Sequence, residues 1–167
     1  MSCPSATELP PSPLRRLAVR LGALVAFGLA GATATAAVLP FDADTWREFG
    51  RSPARPMAVV FSTTDCTHCP KVIERLAGDI RKARSTVRLV VVVIDGAGQE
   101  QELAKDRHYR KAKALYAFDG DAQALRHAVN PAWRGLTPYV ALIPARGSTS
   151  FHAGAPSAAA WRQFRQR

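Results

Sequence analysis

The spacing of apolar residues changes along the chain, and each change marks an element. Met57-Ala58-Val59-Val60-Phe61 is an unbroken apolar run rich in branched residues and predicts a buried strand. From Pro70 to Arg84 the period becomes helical. Val72, Ile73, Leu76, Ala77 and Ile80 fall on one face, with Lys71, Glu74, Arg75 and Arg81 opposite. Val87 to Ile94 is again almost wholly branched aliphatic, which suits a central strand covered on both sides. Strand, helix and strand make one right-handed βαβ unit. Upstream, Asp42 to Phe49 reads as a short helix capped at Asp42 or Asp44, with Trp46 and Phe49 on one face. Downstream, Glu100 to Tyr116 is charged and helical in character, and Ala122 to Val129 is a second helical stretch. Pro138 to Ile143 predicts a strand, Ala145-Arg146-Gly147 a turn, and Thr149 to His152 the returning strand of a hairpin. Pro156 opens a last helix with Trp161 and Phe164 facing inward. The order predicts an α/β fold. It has a central mixed sheet flanked by helices, and a helical insert between the βαβ unit and the C-terminal hairpin plus helix.

The N-terminus follows another pattern. Arg15, Arg16 and Arg20 precede Leu21 to Leu39, which holds no charge and contains the small residues Ala34-Thr35-Ala36-Ala37. A basic segment, an apolar run and an A-x-A site describe a secretory signal cut near Ala36 or Ala37. The alternative is a retained membrane anchor, since the run approaches a spanning length. Residues 1–37 are therefore set apart as signal peptide or anchor, and residues 38–167 as one domain. Either way the domain is expected outside the cytoplasm.

Charge adds a second constraint. Residues 1–37 hold three Arg and one Glu, which leaves 20 basic and 12 acidic residues and a net charge of +8 beyond them. Such a charge favours anionic membrane surfaces or acidic partner proteins through long-range steering. No aromatic-interleaved basic stripe appears, so a nucleic-acid partner is not expected. Lys105, Arg107, Arg110, Lys111 and Lys113 concentrate in the insert, as a partner surface or a solvated face.

The cysteines sharpen the picture. Of three, Cys3 precedes the apolar run, so the domain keeps only Cys66 and Cys69. One close pair is not a stapled scaffold. C-x-x-C between a strand and a helix is a redox pattern. Cys66 is expected in the N-cap region, where unpaired backbone N–H groups and the helix dipole stabilise a thiolate. Cys69, a turn further in, would resolve mixed disulfides formed at Cys66. Pro70 is tolerated within the first turn. Within Cys66-Thr67-His68-Cys69, His68 as imidazolium favours the thiolate, and Asp65 beside Cys66 opposes it. Zinc is the competing use of such a pair, but it wants four ligands, and His108, His127 and His152 form no H-x(3–5)-H pair. No metal site is assigned.

The strand–turn–C-x-x-C–helix layout, followed by Thr137-Pro138 leading into Tyr139-Val140-Ala141-Leu142-Ile143, resembles the thioredoxin superfamily over about residues 41–167. The resemblance implies a cis Pro138 in a loop facing the cysteines, with Thr137 offering its backbone to a bound peptide. The long segment from Gly96 to Gly135, with Tyr116-Ala117-Phe118-Asp119 as an extra short strand, is similar to the exported TlpA/ResA branch. That branch implies service to cytochrome c maturation, copper-site assembly or envelope thiol balance. The chain departs from the family at Asp65, where tryptophan is usual. His68 is more like the Dsb oxidants, and Met57 to Phe61 lacks a buried carboxylate.

These readings converge on an exported thiol–disulfide oxidoreductase with a redox-active Cys66–Cys69 disulfide and no other cofactor. Its expected partners are cysteine-containing exported proteins and a membrane electron donor or acceptor. Its expected place is the periplasm or the extracytoplasmic face of the inner membrane. The alternative is a Sco-like copper chaperone on a similar fold, with His127 or His152 as a distal ligand.

Overall fold

The computed structural model describes residues 37–166. Apart from Ala37, the signal or anchor segment lies outside the described residues. In chain order the elements are β1 Val38–Phe41, α1 Ala43–Arg51, β2 Met57–Ser62, α2 Cys69–Lys82, β3 Arg88–Val93, α3 Glu100–Lys105, a 3-10 helix Tyr109–Lys111, β4 Ala114–Phe118, α4 Ala122–Val129, β5 Tyr139–Ile143, β6 Ser150–Ala153 and α5 Ala158–Arg165. One sheet runs in the order β1-β4-β3-β2-β5-β6. Its first four strands are mutually parallel, and β5 and β6 turn antiparallel. The class is α/β with a mixed sheet between helices.

Alternation along the central strands sends side chains to two cores. On one side Ala58, Val60, Val91, Val93, Val140 and Leu142 meet Ile73 and Leu76 of α2 and Trp161 and Phe164 of α5. On the other, Val59, Phe61, Val90, Val92 and Ala141 meet Phe49 of α1 and Leu125 and Val129 of α4. All six residues of β2 are buried, as a strand covered on both faces requires. Asp42 caps α1 by accepting from the Thr45 N–H at 2.7 Å, and Ser157 caps α5 by accepting from the Ala160 N–H at 3.1 Å.

Two expectations need correction. The helical reading of Glu100 to Tyr116 fails after Lys105. There the Asp106 carboxylate accepts from the His108 N–H at 2.6 Å, a local bond that competes with helix continuation. The chain then enters β4, which holds the expected strand residues Tyr116 to Phe118 and begins two residues earlier, at Ala114. Leu115 and Ala117 face one core and Phe118 the other, so the insert is mixed rather than helical. β1 was not foreseen. It is an edge strand of four residues containing Pro40, a position where a missing N–H is tolerated. Phe41 anchors it, stacking on Phe118 at 5.4 Å and meeting Phe61 edge-on at 5.8 Å.

Among the described residues no helix is long and apolar enough to cross a membrane.

Candidate active site

β2 delivers the chain to the C-terminal end of the parallel strands, where two tight turns carry the cysteines. The Cys66 N–H donates to the Thr63 carbonyl at 3.3 Å, and the Cys69 N–H donates to the Cys66 carbonyl at 3.3 Å. The helical ladder begins only with the Val72 N–H on the His68 carbonyl. The N-cap is therefore His68, not Cys66, and α2 starts at Cys69. Cys66 still reaches the helix terminus, because the Cys69 N–H also points at Cys66 Sγ, 3.2 Å away. A donor in that position favours negative charge on the sulfur.

Cys66 and Cys69 are joined as a disulfide. Their exposures differ. Cys66 is half-buried, whereas Cys69 is 0% exposed beneath it. Thr67 and His68 are both exposed, and His68 makes no side-chain cap bond.

The Thr137–Pro138 peptide is cis, as is Arg55–Pro56. The structure brings this loop to the motif. The Thr63 and Thr137 hydroxyls lie 3.1 Å apart, linking the turn before Cys66 to the residue before Pro138. The Trp133 indole N–H donates to the Leu136 carbonyl at 2.9 Å and steadies the loop from behind. Leu136 itself is 71% exposed beside it, one of few large apolar side chains left in solvent among the described residues. The Gly154 N–H donates to the Pro138 carbonyl at 2.8 Å. Gly154 holds φ 81°, a left-handed backbone that favours glycine.

Between the motif and this loop runs an open groove of about 320 Å³. Val72, Pro138 and Gly154 contribute apolar surface, and His68, Lys71 and Arg75 supply polar and cationic groups. A separate cavity of about 610 Å³ lies against α4 and the Pro131–Arg134 segment and shares no lining residue with the motif.

The supports of the motif are residues that the sequence pattern does not single out. Asp95, just beyond β3, accepts from the Thr64 N–H at 3.0 Å and the Thr64 hydroxyl at 2.7 Å. Tyr109 donates to the Thr63 carbonyl and shares its hydroxyl with Ser62, each at 3.4 Å. Burial pushes the Tyr109 phenol up, so it stays a neutral donor. Ser62 is the buried polar residue at the end of β2. Glu74 of α2 accepts from Lys111 Nζ at 2.7 Å and lies 3.1 Å from His108 Nδ1, tying the motif helix to the segment that carries Tyr109. The Lys111 hydrogen bond chiefly holds the Glu74 carboxyl below its usual range. A polar residue closing an apolar strand, Ser62, was the one local signal available.

Among the described residues no group of three or more His, Cys, Asp or Glu side chains comes together to hold a metal ion. His127 lines the α4 cavity and His152 a separate one against α5, so neither joins the cysteines.

No family model matches the chain, and no curated protein matches it in sequence. Among solved structures it is similar to a secreted Mycobacterium tuberculosis disulfide oxidoreductase homologous to E. coli DsbE. The identity is 19%, over 62% of this chain and 75% of that one, with a TM-score of 0.43. It is also similar to an uncharacterized thioredoxin-like protein from Porphyromonas gingivalis, at 18% identity over 69% of this chain and 74% of that one, with a TM-score of 0.49. The disulfide at the start of α2 and the cis Pro138 beside it are the two features that the resemblance in the sequence implied.

Proposed function

We propose that this chain is a thiol–disulfide oxidoreductase acting on cysteine pairs of exported proteins. The observation that carries the reading is the unequal exposure of the bridged pair at a helix start. Cys66 is accessible, Cys69 is buried, and a groove runs from His68 of the motif to Pro138 of the cis-proline loop.

Cys66 is the nucleophile. Its thiolate attacks one sulfur of a partner disulfide, that S–S bond breaks, and a mixed disulfide forms. The other partner sulfur leaves as thiolate and takes a proton from water. Cys69 then loses its proton and attacks Cys66 Sγ, expelling the second partner sulfur, which is protonated in turn. The pair loses two electrons and two protons, and the partner gains both. Run in reverse, the same steps oxidise a partner dithiol. His68 and Thr67 flank the reacting sulfur at the surface and tune it. Thr137 and Pro138 shape the peptide site. Exchange needs only the sulfurs, so no other cofactor is invoked.

The basic and apolar pattern of residues 1–37 supports export, to the periplasm or the outer face of the inner membrane. A membrane-embedded donor or acceptor then resets the pair. Cytochrome c maturation and copper-site assembly are the services that the family resemblance suggests.

The test uses the full-length chain with Cys3→Ser. With Cys69→Ser added, a disulfide-bridged peptide substrate should accumulate as a mixed disulfide on Cys66, visible by mass. Cys66→Ser should trap nothing. Trapping by both variants or by neither would refute the assignment of roles.

A further inference from the structure

The groove beside the disulfide is one-sided in charge. Lys71 and Arg75 stand one helical turn apart on α2, with His68 at the motif end, and no carboxylate lines the groove. Nearby carboxylates are engaged or set back. Glu74 is held by Lys111 and His108. Asp79 lies 3.9 Å from Arg75 on the same helix, a distance that leaves the guanidinium open to a closer partner. Asp65 is exposed on the far side of Cys66 in sequence and does not line the groove. Lys71 forms no ion pair among the described residues and is exposed.

Building on the oxidoreductase reading, we propose that this groove selects substrates with an acidic residue close to the reactive cysteine. The reach fixes the spacing. Arg75 lies six residues beyond Cys69, about 9 Å along a helix. An extended peptide crosses that distance in about three residues. A substrate cysteine bonded to Cys66, beside Cys69, therefore brings a carboxylate about three positions away within reach of Lys71 and Arg75. Val72 and Pro138 meet the apolar atoms between.

The test uses the reduced full-length chain with Cys3→Ser. Its probes are synthetic peptides with one cysteine capped by 2-mercaptoethanol as a mixed disulfide. Glu, Gln or Lys stands three positions to either side of that cysteine. Each rate of protein oxidation is divided by the rate of the same peptide with dithiothreitol, which removes intrinsic reactivity. Hydroxyethyl disulfide serves as the neutral reference. The Glu peptide should react about fivefold faster than the Gln peptide in low salt, with Lys slower still. The difference should fade at about 1 M salt. Lys71→Glu with Arg75→Glu should reverse the order. Arg162→Glu with Arg165→Glu, exposed on α5, changes net charge equally and should leave the order intact. Equal rates for the three peptides, or equal effects of the two double variants, would overturn the acidic preference while leaving the exchange reading standing. Failure to oxidise with hydroxyethyl disulfide would remove the exchange reading itself, and the preference with it.

Discussion

The hydroxyls of Thr63 and Thr137 lie 3.1 Å apart, although 74 residues separate them in the chain. This contact couples the turn that presents Cys66 to the loop that presents Pro138. Both residues are half-buried, so the bond is shielded but not sealed. Thr63→Val and Thr137→Val should each cost about 1 kcal/mol. In a urea double-mutant cycle the two losses should fall short of additivity by a similar amount. Strict additivity would mean that the loops are positioned independently.

Tyr109 supports the same turn from below. Its bonds to Ser62 and Thr63 are long, at 3.4 Å, so Tyr109→Phe should cost only about 0.5–1 kcal/mol. A loss of several kcal/mol would show that the phenol does more than hold the turn.

Asp95 grips Thr64 through both backbone and side chain. In Asp95→Ala the Thr64 amide should exchange its hydrogen faster, while amides of β2 keep their protection. Unchanged exchange at Thr64 would mean that the turn holds itself.

The aromatic core on the α1 side should be costly to hollow out. Phe61 is fully buried and its ring lies 4.8 Å from Trp133 and 5.8 Å from Phe41. Phe61→Ala should lower unfolding free energy by about 3–5 kcal/mol in urea titrations. Because Trp133 also holds the Leu136 carbonyl, the same change should loosen the cis-proline loop.

Burial lowers the pKa of His152 below its ordinary value. The unfolded chain then binds more protons at this site than the folded one, so stability rises with pH there. The contribution is complete above about pH 6.5 and is lost as pH falls through the lower folded value. His152→Gln should remove that part of the slope between neutral and mildly acidic pH. An identical slope in the variant would mean that His152 titrates normally.

Much of this architecture is legible in the chain because the central elements are strongly periodic. β2 is apolar up to its closing Ser62, β3 is apolar after its opening Arg88, and α2 carries Val72, Ile73 and Leu76 at helical spacing, so period alone locates them. β1 and β4 are harder. β1 has one buried anchor, Phe41, and β4 follows a run of lysines and arginines whose helical character ends only through the Asp106 turn. The motif Cys66-Thr67-His68-Cys69 was visible, but its offset from the helix start depends on two backbone turns with no side-chain signal. Lys71 and Arg75 read as the polar back of a helix. Only the approach of Pro138 and Gly154 turns that face into a groove wall.

The most direct test is the reduction potential of the Cys66–Cys69 pair. The full-length chain with Cys3→Ser is equilibrated in graded thiol buffers, and alkylated cysteines are counted by mass. Ready, reversible exchange is expected, with a potential between about −270 and −120 mV, the span of exchange-active pairs from reductant to oxidant. A pair that stays locked, or one poised below about −300 mV like a structural disulfide, would contradict it.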